Sequence, residues 1–186
     1  ALNVKMLMDK DKISRISSVT DGNFLLLAGE YAFDDWAKEF VINKVKGMAV
    51  IDRYDVTDTA EEKRVELHCH TNMSTKDAVA GAGDIIKRAH KWGHKAVAIT
   101  DHGVMYGCID FYKAAKAAGV KPIIGCEVYV TRRRMEDRVH GIDNDPYHLV
   151  LLCENRKGYE NLCHLVSEGF TKGFYGKPRV DLELLS

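Results

Sequence analysis

"KAVAITDHGVMYGCIDFYKAAKAAGVKPIIGCEVYV", residues 95–130, is the stretch that decides the fold. It opens on a continuous apolar run (95–100), passes through the helix-like segment "CIDFYKAAKAAG" to Gly119, and closes on a second apolar run (121–130). Strand, helix and strand at this interval make a βαβ unit with parallel strands. Both runs are apolar along their length, as in strands covered on both faces. The alternation continues outward. "RVELHC" (64–69) reads as a short preceding strand, and "DAVAGAGDIIKRAHKWG" (77–93) sets Ile85, Ile86, Ala89 and Trp92 at helical spacing with Gly93 as the stop. "YHLVLLC" (147–153) is a fourth strand and "KGYENLCHLVSEGF" (157–170) a further helix. Residues 64–186 are therefore expected to be α/β, either a barrel or a doubly wound sheet.

Residues 1–57 follow a different grammar. "NFLLLAGEY" (23–31) and "AKEFVINKV" (37–45) are strand-like runs across the polar turn "AFDDW", which predicts a hairpin; "VKMLM" (4–8) and "GMAVID" (47–52) read as further strands. A sheet of this size carries little core, so the start of this domain is expected to lie outside the sequence. The polar residues 58–63 read as a linker. Lys+Arg and Asp+Glu balance at 27 each, which removes any global field as a clue to nucleic acid. No apolar run approaches membrane-spanning length, and the N-terminus lacks a signal-peptide pattern. Five cysteines without a CxxC pair, mostly inside apolar runs, fit a reducing, cytoplasmic setting.

In parallel α/β architectures, functional residues gather at the carboxyl ends of the strands. Here those ends read "LHCH" (67–70), "ITDH" (99–102) and "GCEV" (125–128). His68 and His70 are two apart, so on an extended chain they share a face while Cys69 takes the other. Alone, such a pair is as well read as two polar residues on a solvated face. Asp101, His102 and Glu127 at the next two strand ends shift the balance toward a site. Imidazoles with carboxylates suit Zn, Mn or Fe, and such clusters serve hydrolysis by lowering the pKa of water and clamping phosphoryl oxygens.

These residues also carry a resemblance. "HCHT" with Asp77 downstream, "ITDHG", "GCEVYV" and "YHLVLL" resemble the PHP (polymerase and histidinol phosphatase) domain. The segments 103–130 and 147–185 are similar to the form borne by bacterial DNA polymerase III alpha subunits, and "KRVELHCHTNMSTKDAV" and "WGHKAVAITDH" to the PolC type. The resemblance implies a partial PHP-type β/α barrel preceded by the later strands of an OB-fold. It implies metal ligands at His68, His70, Asp77, His102, Glu127 and His148, holding a multinuclear cluster of divalent ions. Asp101 enters as a ligand or an orienting group, and Asp101 and Glu127 as the catalytic pair. It also implies DNA and other replisome subunits as partners through the full-length polymerase, with no membrane. Strand geometry alone sets His148 at the start of its strand, away from a carboxyl rim, so only the resemblance assigns it. PolC-type subunits carry an exonuclease near 131–146, where this sequence has the short loop "TRRRMEDRVHGIDNDP". Further barrel strands and the polymerase domains are absent, so this chain alone is expected not to polymerise DNA.

Three functions compete: a polymerase segment whose PHP part hydrolyses phosphoesters, the same segment with a structural metal site, and an independent phosphoesterase of the histidinol-phosphatase kind. The polymerase-like 103–130 and the OB-like start argue against the third. Other signals are read blandly. His90 and His94 lack the intervening glutamate of a zinc-protease helix. Arg132, Arg133 and Arg134 read as a solvated loop with phosphate contact as the sharper option, and Arg179 of "KPRVD" as at most a weak visitor to the rim. Tyr31, Phe33, Trp36 and Phe40 read as core more than as a base-stacking platform.

Overall fold

In a computed structural model of the chain, residues 3–4, 17, 19–52 and 55–186 are described. The chain forms two compact units, Ala1–Thr57 and Asp58–Ser186. In the first, β1 (Asn3–Val4) lies parallel to β3 (Glu39–Ile51), which pairs antiparallel with β2 (Phe24–Asp34). The predicted hairpin is present. Its turn is closed by Asp34, whose Oδ1 accepts from the amides of Trp36 and Ala37 at 2.9 Å, with Lys38 at φ 57°. "GMAVID" is not a separate strand. It continues β3 beyond a register shift between Ala28 and Glu30, where Lys44 takes φ 45° and the extra residues bulge. The strand expected at 4–8 lies, beyond Val4, outside the described residues.

The second unit carries a mixed sheet and four helices, in the order α1 (Ala82–Lys91), β4 (Ala96–Ile99), α2 (Cys108–Ala118), β5 (Lys121–Val130), β6 (Tyr147–Leu152), α3 (Arg156–Thr171), β7 (Arg179–Val180) and α4 (Leu182–Leu185). The βαβ unit is as expected: β4 and β5 are parallel from Ala96↔Lys121 to Ile99↔Ile124. Gly93 and Gly119 follow their helices at φ 75° and 70°, a backbone region that costs a side-chain-bearing residue about 1–2 kcal/mol. Asn155 caps α3 by accepting from the Gly158 amide at 3.1 Å. One core cluster joins α1, α2 and β4 around Ile86, Val97, Ile99, Phe111 and Ala115. Another seats α3 on β5 through Cys126, Val128, Val130, Leu162 and Val180.

Two expectations need correction. "RVELHC" does not form a strand but a single parallel bridge, Glu66↔Val97. Ala98 donates to the Glu66 carbonyl and Thr100 to that of Cys69, each at 2.8 Å, so three steps of one segment oppose two of the other and pairing cannot continue. The fourth strand is antiparallel: β6 runs against β5 from Gly125↔Leu152 to Val130↔Tyr147. Residues 58–63 belong to the second unit, where Asp58 meets His94 at 3.1 Å and Lys63 at 3.3 Å.

Candidate metal centre

From Cys126 onward β5 alternates between two environments. Cys126, Val128 and Val130 enter the core beneath α3, which leaves Glu127 and Tyr129 on the opposite face. Around Glu127 the fold gathers four histidines. His68 and His70 both bond Oε2 through Nε2, the latter at 2.8 Å, so the two imidazoles do share a face. His148 Nδ1 bonds Oε1 at 2.5 Å, and His102 Nδ1 stands 3.7 Å from the same oxygen. His148 reaches the rim because β6 is antiparallel: its first residues lie beside the last of β5, Tyr129↔His148. The misfit of His148 came from assuming a parallel strand.

The ligand atoms form two overlapping triplets, His68–His70–Glu127 and His102–Glu127–His148, each within 4.8 Å. Each oxygen of one carboxylate thus faces its own pair of imidazoles. Asp77 approaches from the turn after the first pair, its Oδ2 3.6 Å from His102 Nε2. Lys76 beside it holds φ 76°, a costly conformation for a non-glycine residue.

Burial opposes ionisation of Glu127. Hydrogen bonds from His68, His148 and His70 outweigh it and bring the pKa down to about 2. Burial lowers the His102 pKa against the pull of Glu127, which favours the neutral ring. His102 Nδ1 is buried without a hydrogen-bond partner. A neutral imidazole nitrogen aimed at a carboxylate oxygen across 3.7 Å, with no bond between them, is a pair of donors suited to a shared cation. The residues present therefore fit a divalent metal.

Asp101 stands apart from this cluster. It is 1% exposed, and its oxygens accept from the Thr71 amide at 2.7 Å, Thr71 Oγ1 at 2.8 Å and Ser74 Oγ at 2.7 Å. Ser74 Oγ in turn accepts from the His102 amide at 3.1 Å. The network ties the exit of the first histidine pair to the end of β4, an arrangement that suits the orienting alternative. Sequence reasoning missed Thr71 and Ser74, whose small polar side chains carry no pattern. It also missed Tyr129, which spacing on β5 two residues from Glu127 would have found.

The signals set aside resolve structurally. Arg179 is fully buried and donates to the carbonyls of Gly173, Asp143, Met135 and Asp137, so it is no rim residue. Arg132, Arg133 and Arg134 pair with Asp145, Asp143 and Asp181. The aromatic residues of the first unit are a correction. Tyr31 stacks on Phe40 at 5.2 Å and Phe33 meets it edge-on at 5.3 Å, but all three are exposed rather than core. All five cysteines are free, and among the described residues no helix is long and apolar enough to cross a membrane.

Residues 66–186 match the family model described as the PHP domain. The chain is 43% identical over 122 residues to "DNA polymerase III subunit alpha" of Chlamydia pneumoniae, covering 65% of this chain and 10% of that protein. It is 48% identical over 124 residues to "DNA polymerase III PolC-type" of Clostridium perfringens, covering 67% of this chain and 8% of that protein. The chain thus spans about a tenth of the curated relatives it matches. Among solved structures, an amidohydrolase from Chromobacterium violaceum with bound sulfate and no metal aligns with a TM-score of 0.38 and 23% identity, over 56% of this chain and 34% of that one.

Proposed function

The chain belongs to the PHP domain family, and on that premise we propose that it is the PHP-bearing segment of a bacterial replicative DNA polymerase of the DNA polymerase III alpha or PolC type. Its cluster holds divalent metal ions (Zn, Mn or Fe) in a multinuclear site and acts on phosphoesters. The names of the relatives favour this over an independent histidinol-phosphatase-like enzyme. DNA and replisome subunits are then its partners through the whole polymerase, in the cytoplasm, and residues 1–57 are the OB-like neighbour.

One observation carries the metal reading: Glu127 faces His68 and His70 with one oxygen and His102 and His148 with the other, and His102 Nδ1 is buried without a hydrogen-bond partner. When bound, divalent ions supply Lewis acidity, lowering the pKa of a water and neutralising charge on phosphoryl oxygens. The chain's own residues do the rest. His68, His70, His102 and His148 orient the ligand field about Glu127, and Asp77 extends it toward His102. Asp101 positions the turn through Thr71 and Ser74.

Elemental analysis of the purified chain beside a His68→Ala, His70→Ala double variant tests this. Stoichiometric Zn, Mn or Fe in the wild type, lost in the variant, with hydrolysis of a model phosphodiester that follows metal content, is expected. A folded wild type without metal in any reconstitution would refute the metal centre, and full metal without turnover would leave a structural cluster.

A further inference from the structure

We propose that Lys177, seated over the ring of Tyr129, anchors the non-bridging oxygens of a phosphoryl group presented to the histidine–glutamate cluster. The proposal rests on the reading of that cluster as a metal-dependent phosphoester site and names how its substrate is held.

Tyr129 is the link. It stands two residues beyond Glu127 on the same face of β5, and its ring lies 4.9 Å from that of His148 and 5.9 Å from that of His102. The Lys177 ammonium sits 4.5 Å from the centre of this ring. The contact is built from both sides. β7 runs parallel to β5 with Tyr129 opposite Arg179, and the four carbonyl bonds of buried Arg179 hold that strand in place. A tight turn at Gly176, φ 69°, closed by the Tyr175 amide on the Lys177 carbonyl at 3.1 Å, sets Lys177 above the ring. Gly103, immediately after His102, has φ 63°; a Cβ there would stand 2.8 Å from Pro178 Cγ and 3.0 Å from the Tyr129 ring. The absent side chain is what lets the Lys177–Pro178 segment close against the cluster.

The charge at this place is unspent. Among the described residues no carboxylate lies within ion-pair distance of the Lys177 ammonium, and the side chain is exposed. A lysine whose task was stability would be better matched with an acid, whereas a cation–π contact holds the ammonium in position and leaves its hydrogens for another acceptor. An ammonium held in place beside a site suited to divalent cations recognises a tetrahedral oxyanion.

Calorimetric titration of inorganic phosphate into the metal-loaded full chain tests this, with Lys177→Ala and Lys177→Arg alongside and metal content measured in each. Lys177→Ala is expected to weaken phosphate about tenfold, the worth of one charge-assisted contact, while Lys177→Arg stays within about threefold. Equal affinity in the wild type and Lys177→Ala, with metal retained, overturns the anchor alone. Failure of the wild type to take up metal overturns the site reading and the anchor with it. In a second arm, a short single-stranded DNA bearing a 5′-phosphate replaces inorganic phosphate. Loss of affinity on the oligonucleotide alone would put the lysine on a nucleic-acid backbone away from the cluster and likewise overturn the proposal.

Discussion

Replacing Asp101 by alanine removes a buried carboxylate that helps join the two histidine-bearing segments without bonding to any of the four histidines. Its carboxylate accepts from the Thr71 amide, Thr71 Oγ1 and Ser74 Oγ in a buried setting. Hydrogen bonds to a charged group are worth about 1.5–3 kcal/mol each, so simple addition gives about 5–9 kcal/mol. That sum overshoots. The Thr71 and Ser74 hydroxyls can rotate their O–H toward another acceptor while still accepting from the Met73 amide, at 3.1 Å, and the His102 amide, whereas the fixed Thr71 amide cannot turn away. Removing a buried charge also returns its desolvation cost. The expected loss for Asp101→Ala is about 3–5 kcal/mol, a large share of the 5–15 kcal/mol of an ordinary domain. Asp101→Asn keeps an acceptor for the amide and is expected to lose about 1–2 kcal/mol of stability while lowering metal affinity about 10–100-fold, as the loss of an orienting partner does. The chain has two tryptophans, and Trp36 is 91% exposed, so urea unfolding in a Trp36→Phe background reads the second unit through Trp92. An Asp101→Ala loss below about 1 kcal/mol, with metal affinity within about twofold of wild type, would sink the positioning role.

Two further outcomes follow from buried charges. Arg179→Met strands four carbonyl acceptors inside the unit and is expected to cost at least about 4 kcal/mol, seen as a collapsed urea midpoint; a midpoint near wild type would mean the buried guanidinium contributes no net stability. The Glu127 pKa falls from 4.5 to about 2 on folding, so the folded state binds its proton less readily than the unfolded chain. Its stabilisation, about 3 kcal/mol in the metal-free protein, is complete above pH 4.5 and fades as the pH drops toward 2. Acid titration of unfolding stability in chelator should show this slope, and Glu127→Gln should flatten it. An unchanged slope in Glu127→Gln contradicts the ionised carboxylate.

Local pattern carried much of this protein. The apolar runs of β4 and β5, the helix between them and the glycines that end α1 and α2 are properties of a few neighbouring residues, and these stand where periodicity puts them. The shared face of His68 and His70 is equally local, since alternation along an extended chain holds even where the strand shrinks to one bridge. What the sequence left open depended on partners distant in the chain. Whether β6 runs with or against β5 depends on whether the chain between them crosses back over the sheet, which no helix here does, and that direction is what carries His148 to Glu127. Arg179 and Asp101 look alike on paper, charged residues beside a motif. Burial against carbonyls makes one a clasp, and burial against Thr71 and Ser74 makes the other a brace. The sequence alone determined which side chains have the chemistry for a metal. Their convergence on one carboxylate was decided by the tertiary fold, because distance across a sheet edge is not a function of distance along the chain.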